Sequence, residues 1–492
     1  MKMNTAHRII KNTGSLLISE VIGSLLTFTA TVYIARVLGP GDFGKISFAI
    51  AIIFYFTLIA DPGLSILGTR QVARDKEKIK DYVGSTLTLR LCLATIGFVL
   101  LLLVALFINK PLEIKYIIIL YGLGLIPIGL SFAWVFRGVE KMEYIGLGRI
   151  LTGVIYIVLV LSFFKSSEQL LLVPCFWVGS NLLAAGLLIS IFVRSFGKPR
   201  LRFNLASWRS LLKQALPMGF AVIMGYIMLS IDTVMLGFMK SNEEVGYYNA
   251  AYKIIIFLSM MSASYSETIY PLASSYYQVS LDSLKRLLQF STKLMSTLAL
   301  PLAVGGTILA RPIMNLIFGA KYDNGIIALQ ILIWATAVAM VRLAYSRGLL
   351  SSDRERRFAR VVTAGAIVNI ILNLILIPPL GFIGAAIATV AAETVVFLGF
   401  YTEFRKVMEV PLARHLVKPL IASAIMSLFL YWGLDGLNLN VIALIFGGAF
   451  IYFVFLLAIK GLSKQEMRLI RSTVFANKKR EIEHETDILA RW

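Results

Sequence analysis

The chain has 492 residues, 58% hydrophobic and 15% charged, with mean hydropathy +0.80 and a formal net charge of +21. Soluble domains carry about 25% charged residues, so an ordinary soluble enzyme is excluded. Apolar runs such as Ile96 to Ile108 and Val441 to Ile459 approach the length of a membrane crossing, about 20 residues. The basic excess then reads as charge on cytoplasmic loops, not as a nucleic-acid footprint.

In chain order, apolar stretches predict fourteen helices, at 13–35, 44–67, 83–108, 115–136, 147–164, 169–193, 214–238, 247–272, 291–310, 326–346, 361–377, 382–402, 417–434 and 440–459. Lys2, Arg8 and Lys11 precede the first of these, which runs past Glu20 without a compact signal-peptide core and reads as an uncleaved first span. Leu281, Leu284, Leu287 and Leu288, beside Lys285 and Arg286, suit either a short helix lying on the membrane surface or a solvated connector. The tail from Gly461 is basic first and acidic later, at Glu481, Glu483, Glu485 and Asp487, and reads as solvated. Cys92 and Cys175 both fall in apolar stretches and give no disulfide framework or metal cluster. The three histidines, His7, His415 and His484, lie outside the spans.

Charge tests this map independently. With the N-terminus inside, the cytoplasmic segments hold 36 of the 48 Lys and Arg, the external connections 8, and the spans the remaining four, Arg90, Lys253, Lys293 and Arg342. That asymmetry follows the positive-inside rule and places both termini in the cytoplasm of a cell-membrane protein. Every external connection is short, which excludes a large external catalytic loop.

The chain resembles itself at an offset of about 200–210 residues. Ala35-Arg36-Val37-Leu38-Gly39 followed by Phe43-Gly44 corresponds to Val234-Met235-Leu236-Gly237 followed by Val245-Gly246. Ala133 to Arg137-Gly138 and then Arg149 correspond to Ala344 to Arg347-Gly348 and then Arg360. Six spans separate each pair, so the repeats are parallel, as in transporters whose halves are related by an axis along the membrane normal. The expected fold is an all-α polytopic membrane protein of about fourteen transmembrane helices: a six-helix lobe over 1–200, a second over 201–410, two additional helices over 411–460 and a cytoplasmic tail over 461–492. No G-x-x-x-x-G-K-[ST] loop, H-E-x-x-H helix or carboxylate pair in a soluble cleft occurs, so neither ATP hydrolysis nor acid–base catalysis is supported.

Nine charged residues fall within the spans: Glu20, Asp61, Arg90, Asp232, Lys253, Glu267, Lys293, Arg342 and Glu393. A charge at a helix centre costs about 2.5–3.5 kcal/mol on insertion scales, so each needs a partner, a route to the interface or a wet cavity. Lys293 lies close enough to a helix end to snorkel. Arg90 and Arg342 on the inner side, with Lys253 on the outer side, are candidates for binding a diphosphate or sugar, arginine through its bidentate fork. Glu20, Asp61, Asp232, Glu267 and Glu393 are candidates for H⁺ or Na⁺ coupling. Asp61 precedes Pro62-Gly63, where the helix breaks; freed carbonyls there coordinate a cation, or the carboxylate merely caps the kink. Glu20, Ser24, Thr27 and Thr31 form one polar stripe; Tyr252, Ser259, Ser262, Ser266 and Tyr270 form another. Such stripes either bond a neighbouring helix or line a hydrated cavity.

Three segments carry a family resemblance. Residues 35–44 (Ala-Arg-Val-Leu-Gly-Pro-Gly-Asp-Phe-Gly), Ile231 to Gly237 with Val245 to Ala251, and Asn373 to Pro378 with Gly381 to Ala386 resemble helix-end signatures of the polysaccharide transporter family. This family includes the Wzx-type oligosaccharide flippases and belongs to the MOP flippase superfamily with the MATE exporters. The resemblance implies two six-helix lobes packed in a V with two extra helices, and movement of a polyprenyl-diphosphate-linked oligosaccharide from the inner to the outer leaflet. It implies, as partners, membrane lipids and other membrane proteins of polysaccharide assembly. It carries no catalytic motif and no cofactor. The alternatives are a MATE-like cation-coupled drug exporter, against which Arg90 and Arg342 speak unless both are paired, a lipid II flippase, and a non-transporting scaffold.

The charge asymmetry makes a prediction about sidedness. In a background lacking Cys92 and Cys175, a cysteine at Lys240 should react in intact cells with an impermeant thiol reagent, and one at Lys198 should not. The reverse labelling pattern would overturn the topology.

Overall fold

Backbone amides have no water to bond inside hydrocarbon, so a spanning chain satisfies them within helices. The computed structural model describes residues 5–436 and 439–461, with the side chains of 5–17, 220–228 and 261 outside that description. The acidic tail and His484 therefore lie outside the described residues. Among those described, the helices are α1 (Thr5–Ala60), α2 (Leu64–Arg74), α3 (Ile79–Phe107), α4 (Leu112–Gly122), α5 (Leu125–Gly129), α6 (Ala133–Gly138), α7 (Met142–Phe163), α8 (Leu172–Phe196), α9 (Leu205–Met239), α10 (Asn242–Val279), α11 (Leu281–Ile308), α12 (Ala310–Ile317), α13 (Ile326–Ser351), α14 (Glu355–Leu380), α15 (Phe382–Arg405), α16 (Ala413–Asp435) and α17 (Val441–Ala458).

Eleven stretches among the described residues are long and apolar enough to cross a membrane. One of them, Ile18–Ala60, has 43 residues. At 1.5 Å per residue that is about twice the ~30 Å hydrocarbon core. Gly39, at φ 75° and followed by Pro40, divides α1 into two crossings. With α9 and α10 added, a helix stands at each of the fourteen expected positions.

Two details differ from expectation. The 115–136 span is not one helix: α4, α5 and α6 succeed each other through Gly124, Pro127 and Gly129, because proline withholds an amide and adjacent glycines weaken the ladder. The leucines at 281–288 form no separate surface helix. They open α11, with Leu284 and Leu288 fully buried, because the apolar stripe has a packing partner inside the protein. The break at Asp61-Pro62-Gly63 is present as expected, between α1 and α2.

The described residues group into two compact units. The first comprises those up to Lys253, with Ile317–Asn324 and Asn369–Ala385; the second comprises the rest. In the first, α1 packs on α7, α3, α4 and α9, and an aromatic core of Phe132, Trp134, Phe136 and Phe192 fills the space around α6. In the second, α11 packs on α13 and α16, and α16 on α17. Leu309, Met426, Leu430, Leu444 and Leu456 bind the last two helices to this unit, and the Tyr452 hydroxyl donates to the Thr297 carbonyl over 2.7 Å.

The repeat glycines explain themselves in this packing. A Cβ on Gly44 would overlap the Asn242 carbonyl, and one on Gly246 would overlap the Pro40 carbonyl, so the corresponding glycines lie reciprocally against each other's strand of chain. Gly138 sits against Val72, and its counterpart Gly348 against Leu288 and Phe404. Small residues let helix backbones approach where lipid offers no hydrophobic drive for association. Gly246→Ala should therefore lower the amount or the melting temperature of purified protein, whereas Gly186→Ala, with open space around its Cβ position, should leave both unchanged. Equal stability of the two variants would refute the close-approach argument.

Candidate functional site

The first unit carries a buried guanidinium. Arg90 lies eleven residues into α3, about 16 Å along the helix. It is 2% exposed, and its Nη2 is 3.3 Å from the Asp61 carboxylate. Nη1 donates to the Ser131 carbonyl (2.9 Å) and Nη2 to the Ile128 carbonyl (2.7 Å). Both carbonyls lie at the interruption between α5 and α6, where the Ile128 carbonyl also accepts from the Ser131 amide (3.2 Å). Asp61 also accepts from the Ser65 backbone amide (2.9 Å) and the Ser65 hydroxyl, capping the start of α2. One arginine thus joins two helix breaks, and its fork is engaged by the protein itself.

A cavity of ≈ 690 Å³ opens beside this network. Asp61, Lys253, Trp177, Tyr121 and Tyr156 line it, with Thr27, Thr31 and Thr57. Trp177 and Tyr121 stand with ring centroids 5.6 Å apart. The threonine hydroxyl hydrogens are directed at carbonyls of their own helix, at Gly23, Thr27 and Phe54. Their oxygens remain acceptors. The wall therefore combines flat aromatic faces, acceptor oxygens and the Lys253 ammonium, a set suited to hydroxyl-rich rings and an anion. The first polar stripe contributes Thr27 and Thr31; the α10 stripe does not reach this cavity, and its serines Ser259 and Ser262 bond back to their own helix.

A second buried cluster in the same unit surrounds Asp232, which is 2% exposed. Its carboxylate accepts from the Tyr248 hydroxyl (2.8 Å) and from the Asn373 amide. Asn373 also donates to Asn369 Oδ1 (3.2 Å), and Thr233 contacts Asn249 at 3.3 Å. Asn373 is fully buried, and its Oδ1 has no hydrogen-bond partner. An oxygen left without a donor in such a place is costly, and a hydrogen-bond donor or a cation would satisfy it.

The remaining candidates are placed as follows. Glu20 pairs with Arg149 across α1 and α7. In the second unit Arg342 pairs with Glu393 at 2.8 Å, with its guanidinium over the Phe400 ring. Glu267 is exposed on α10, beside Ser266, which accepts from Arg347. Lys293 lines a separate cavity in the second unit. Arg90 and Arg342 are thus both ion-paired, and the charge argument against a cationic-drug exporter falls. Sequence reading missed Trp177, Tyr121 and Tyr156, which carry no periodic signal in an apolar span. It also missed Asn369 and Asn373, although Asn373 opens one of the helix-end signatures.

Comparison with known proteins decides the family. The profile described as "Polysaccharide biosynthesis protein" matches residues 9–277, more than half of the chain. The chain belongs to the polysaccharide biosynthesis protein family. It is 25% identical over 395 residues to a putative O-antigen transporter of Escherichia coli (strain K12), covering 77% of this chain and 91% of that one. It is 26% identical over 408 residues to the probable flippase AglR of Haloferax volcanii, covering 77% and 79%. In fold it is similar to the lipid II flippase MurJ in an inward closed conformation, with TM-score 0.77, 16% identity and coverage of 93% and 99%. An inward-facing MATE family transporter of the MOP superfamily gives TM-score 0.64 at 15% identity, covering 78% and 95%. The MOP fold, a multi-pass helical membrane protein, is therefore that of this family member.

The pairing of Arg90 sets an expectation for its removal. Breaking a buried ion pair costs about 3–5 kcal/mol because the partner is left uncompensated. Arg90→Ala should lower the melting temperature and the amount of protein in the membrane, and Asp61→Asn should do so less. Loss of transport by Arg90→Ala with normal amount and melting temperature would instead return this arginine to substrate binding.

Proposed function

We propose that this chain is a flippase that moves a polyprenyl-diphosphate-linked oligosaccharide, the repeat unit of a surface polysaccharide, from the inner to the outer leaflet of the cell membrane. It does so by alternating access, with both termini cytoplasmic, and delivers its cargo to other membrane proteins of polysaccharide assembly. The observation that carries this reading is the aromatic, hydroxyl-lined cavity with Lys253 in a member of this family. Aromatic faces take sugar rings, threonine oxygens accept sugar hydroxyls, and the ammonium takes a phosphate. The relatives named as O-antigen transporter and glycan biosynthesis flippase support the same substrate class. Transport needs no catalytic group of this chain. Family membership, and not the arginine charges, favours it over a drug exporter.

Ion coupling belongs to the same reading. Of the five candidate carboxylates, Asp232 has the setting of a coupling site: it is buried, accepts from the Tyr248 hydroxyl and the Asn373 amide, and belongs to a polar cluster in which Asn373 Oδ1 lacks a donor. Asp61 and Glu20 are engaged by Arg90 and Arg149. Hard oxygen ligands suit Na⁺, and the same carboxylate can take H⁺.

Deleting the gene should accumulate the polyprenyl-diphosphate-linked repeat unit on the cytoplasmic side. An unchanged pool of that intermediate would overturn the assignment. In cells, Lys253→Ala should cut export with protein amount intact. Losing one charge-assisted contact costs about 1.5–3 kcal/mol, or roughly 10- to 150-fold in affinity. Lys253→Arg should retain part of it. In proteoliposomes an imposed Na⁺ or H⁺ gradient should accelerate flipping by the wild type and not by Asp232→Asn. Flipping at full rate without any gradient would remove the coupling role.

A further inference from the structure

The second unit contains a cavity of ≈ 550 Å³ that the transport reading does not use. Its cationic lining comes from two helices. Along α11, Ser283, Arg286, Phe290, Lys293 and Thr297 recur at steps of three and four on one face. Arg286 and Lys293 are two turns apart, about 10 Å. The start of α16 adds Arg414 and Lys418, one turn apart on their own face. Among the described residues no aspartate or glutamate lines the cavity, and the rest of its wall mixes apolar side chains such as Ile269, Leu272 and Leu287 with neutral polar ones such as Gln289 and Tyr276. The combination is that of a lipid site. A column of positive charge over two turns fits an extended phosphate head group, and the apolar wall continues along its acyl chains.

We propose that this cavity binds an anionic phospholipid of the cytoplasmic leaflet, with a head group carrying two phosphates as the best match to four cations. Basic pockets between transmembrane helices on the cytoplasmic side recognise such head groups. The cavity lies where the positive-inside census places the cytoplasmic ends of α11 and α16. It is lined wholly by residues of the second unit and shares none with the cavity that holds Lys253. A lipid seated there would tie α11, the helix on which α13, α16 and α17 all rely, to the leaflet from which substrate arrives.

The test uses the full-length protein in phosphatidylcholine nanodiscs, doped with cardiolipin, with phosphatidylglycerol or with a sugar-free polyprenyl diphosphate. Retained lipid is counted by native mass spectrometry, and inorganic pyrophosphate is added as a soluble competitor. Wild type should retain cardiolipin over phosphatidylcholine. Arg286→Ala/Arg414→Ala should weaken this about 30-fold, from about 1 kcal/mol per cation and tenfold per 1.4 kcal/mol. Arg70→Ala/Arg74→Ala, which removes two exposed cations of the first unit, should bind as wild type does. Equal cardiolipin retention by both double variants would overturn the proposal. So would retention of the polyprenyl diphosphate in place of cardiolipin, or full displacement by pyrophosphate, which would assign the cations to substrate or to a free anion. The melting temperature in plain phosphatidylcholine checks that Arg286→Ala/Arg414→Ala folds; if it does not, Arg286→Gln and Lys418→Gln are scored singly by the same ratio. The assay reads bound lipid and not flipping, so its failure leaves the transport assignment standing.

Discussion

The Arg90 guanidinium is the interaction on which the first unit depends. Interrupting a helix in hydrocarbon takes backbone groups out of their regular bonds, and this chain does so after Ala60, between α4 and α5 and between α5 and α6. Arg90 donates to the carbonyls of Ile128 and Ser131 at the last of these breaks and pairs with the carboxylate that caps α2 at the first. Each side makes the other tolerable: the arginine could not be buried without acceptors, and the breaks could not persist without a donor.

Close backbone approach is the second constraint. Lipid tails are as apolar as leucine, so helices in a membrane associate through packing and hydrogen bonds. The reciprocal contact of Gly44 and Gly246 places two repeat-related positions together within one packed unit. Gly138 and Gly348 do the same work for α6 against α2 and for α13 against α11 and α15. These are positions where a Cβ has no room.

Charges inside the spans divide by use. Glu20 with Arg149, Asp61 with Arg90 and Arg342 with Glu393 are pairs that let polar groups sit at depth. Lys253 faces a cavity, and Asp232 accepts from the Tyr248 hydroxyl and the Asn373 amide.

The sequence by itself determined the class and the helix positions, and the distribution of Lys and Arg gave an expected sidedness. Hydrophobic run length and the distribution of Lys and Arg are properties of the chain against a bilayer and need no partner to be read. The repeat and the helix-end signatures were legible for the same reason, since glycine and proline act locally. The break at Asp61-Pro62-Gly63 was read from the sequence, whereas the break in 115–136 was passed over: Gly124, Pro127 and Gly129 sit in a continuous apolar run, and the arginine that bonds the Ile128 carbonyl lies 38 residues earlier in the chain. The nine charged positions could be named, but not sorted. Whether Arg90 holds a phosphate or a pair of carbonyls depends on which groups the fold brings within 3 Å, and those lie on other helices. For the same reason the aromatic wall of Trp177, Tyr121 and Tyr156, the orphaned oxygen of Asn373 and the cationic column of α11 with α16 belong to tertiary structure alone: each is a juxtaposition of residues from helices far apart in the chain, and no one-dimensional period encodes it.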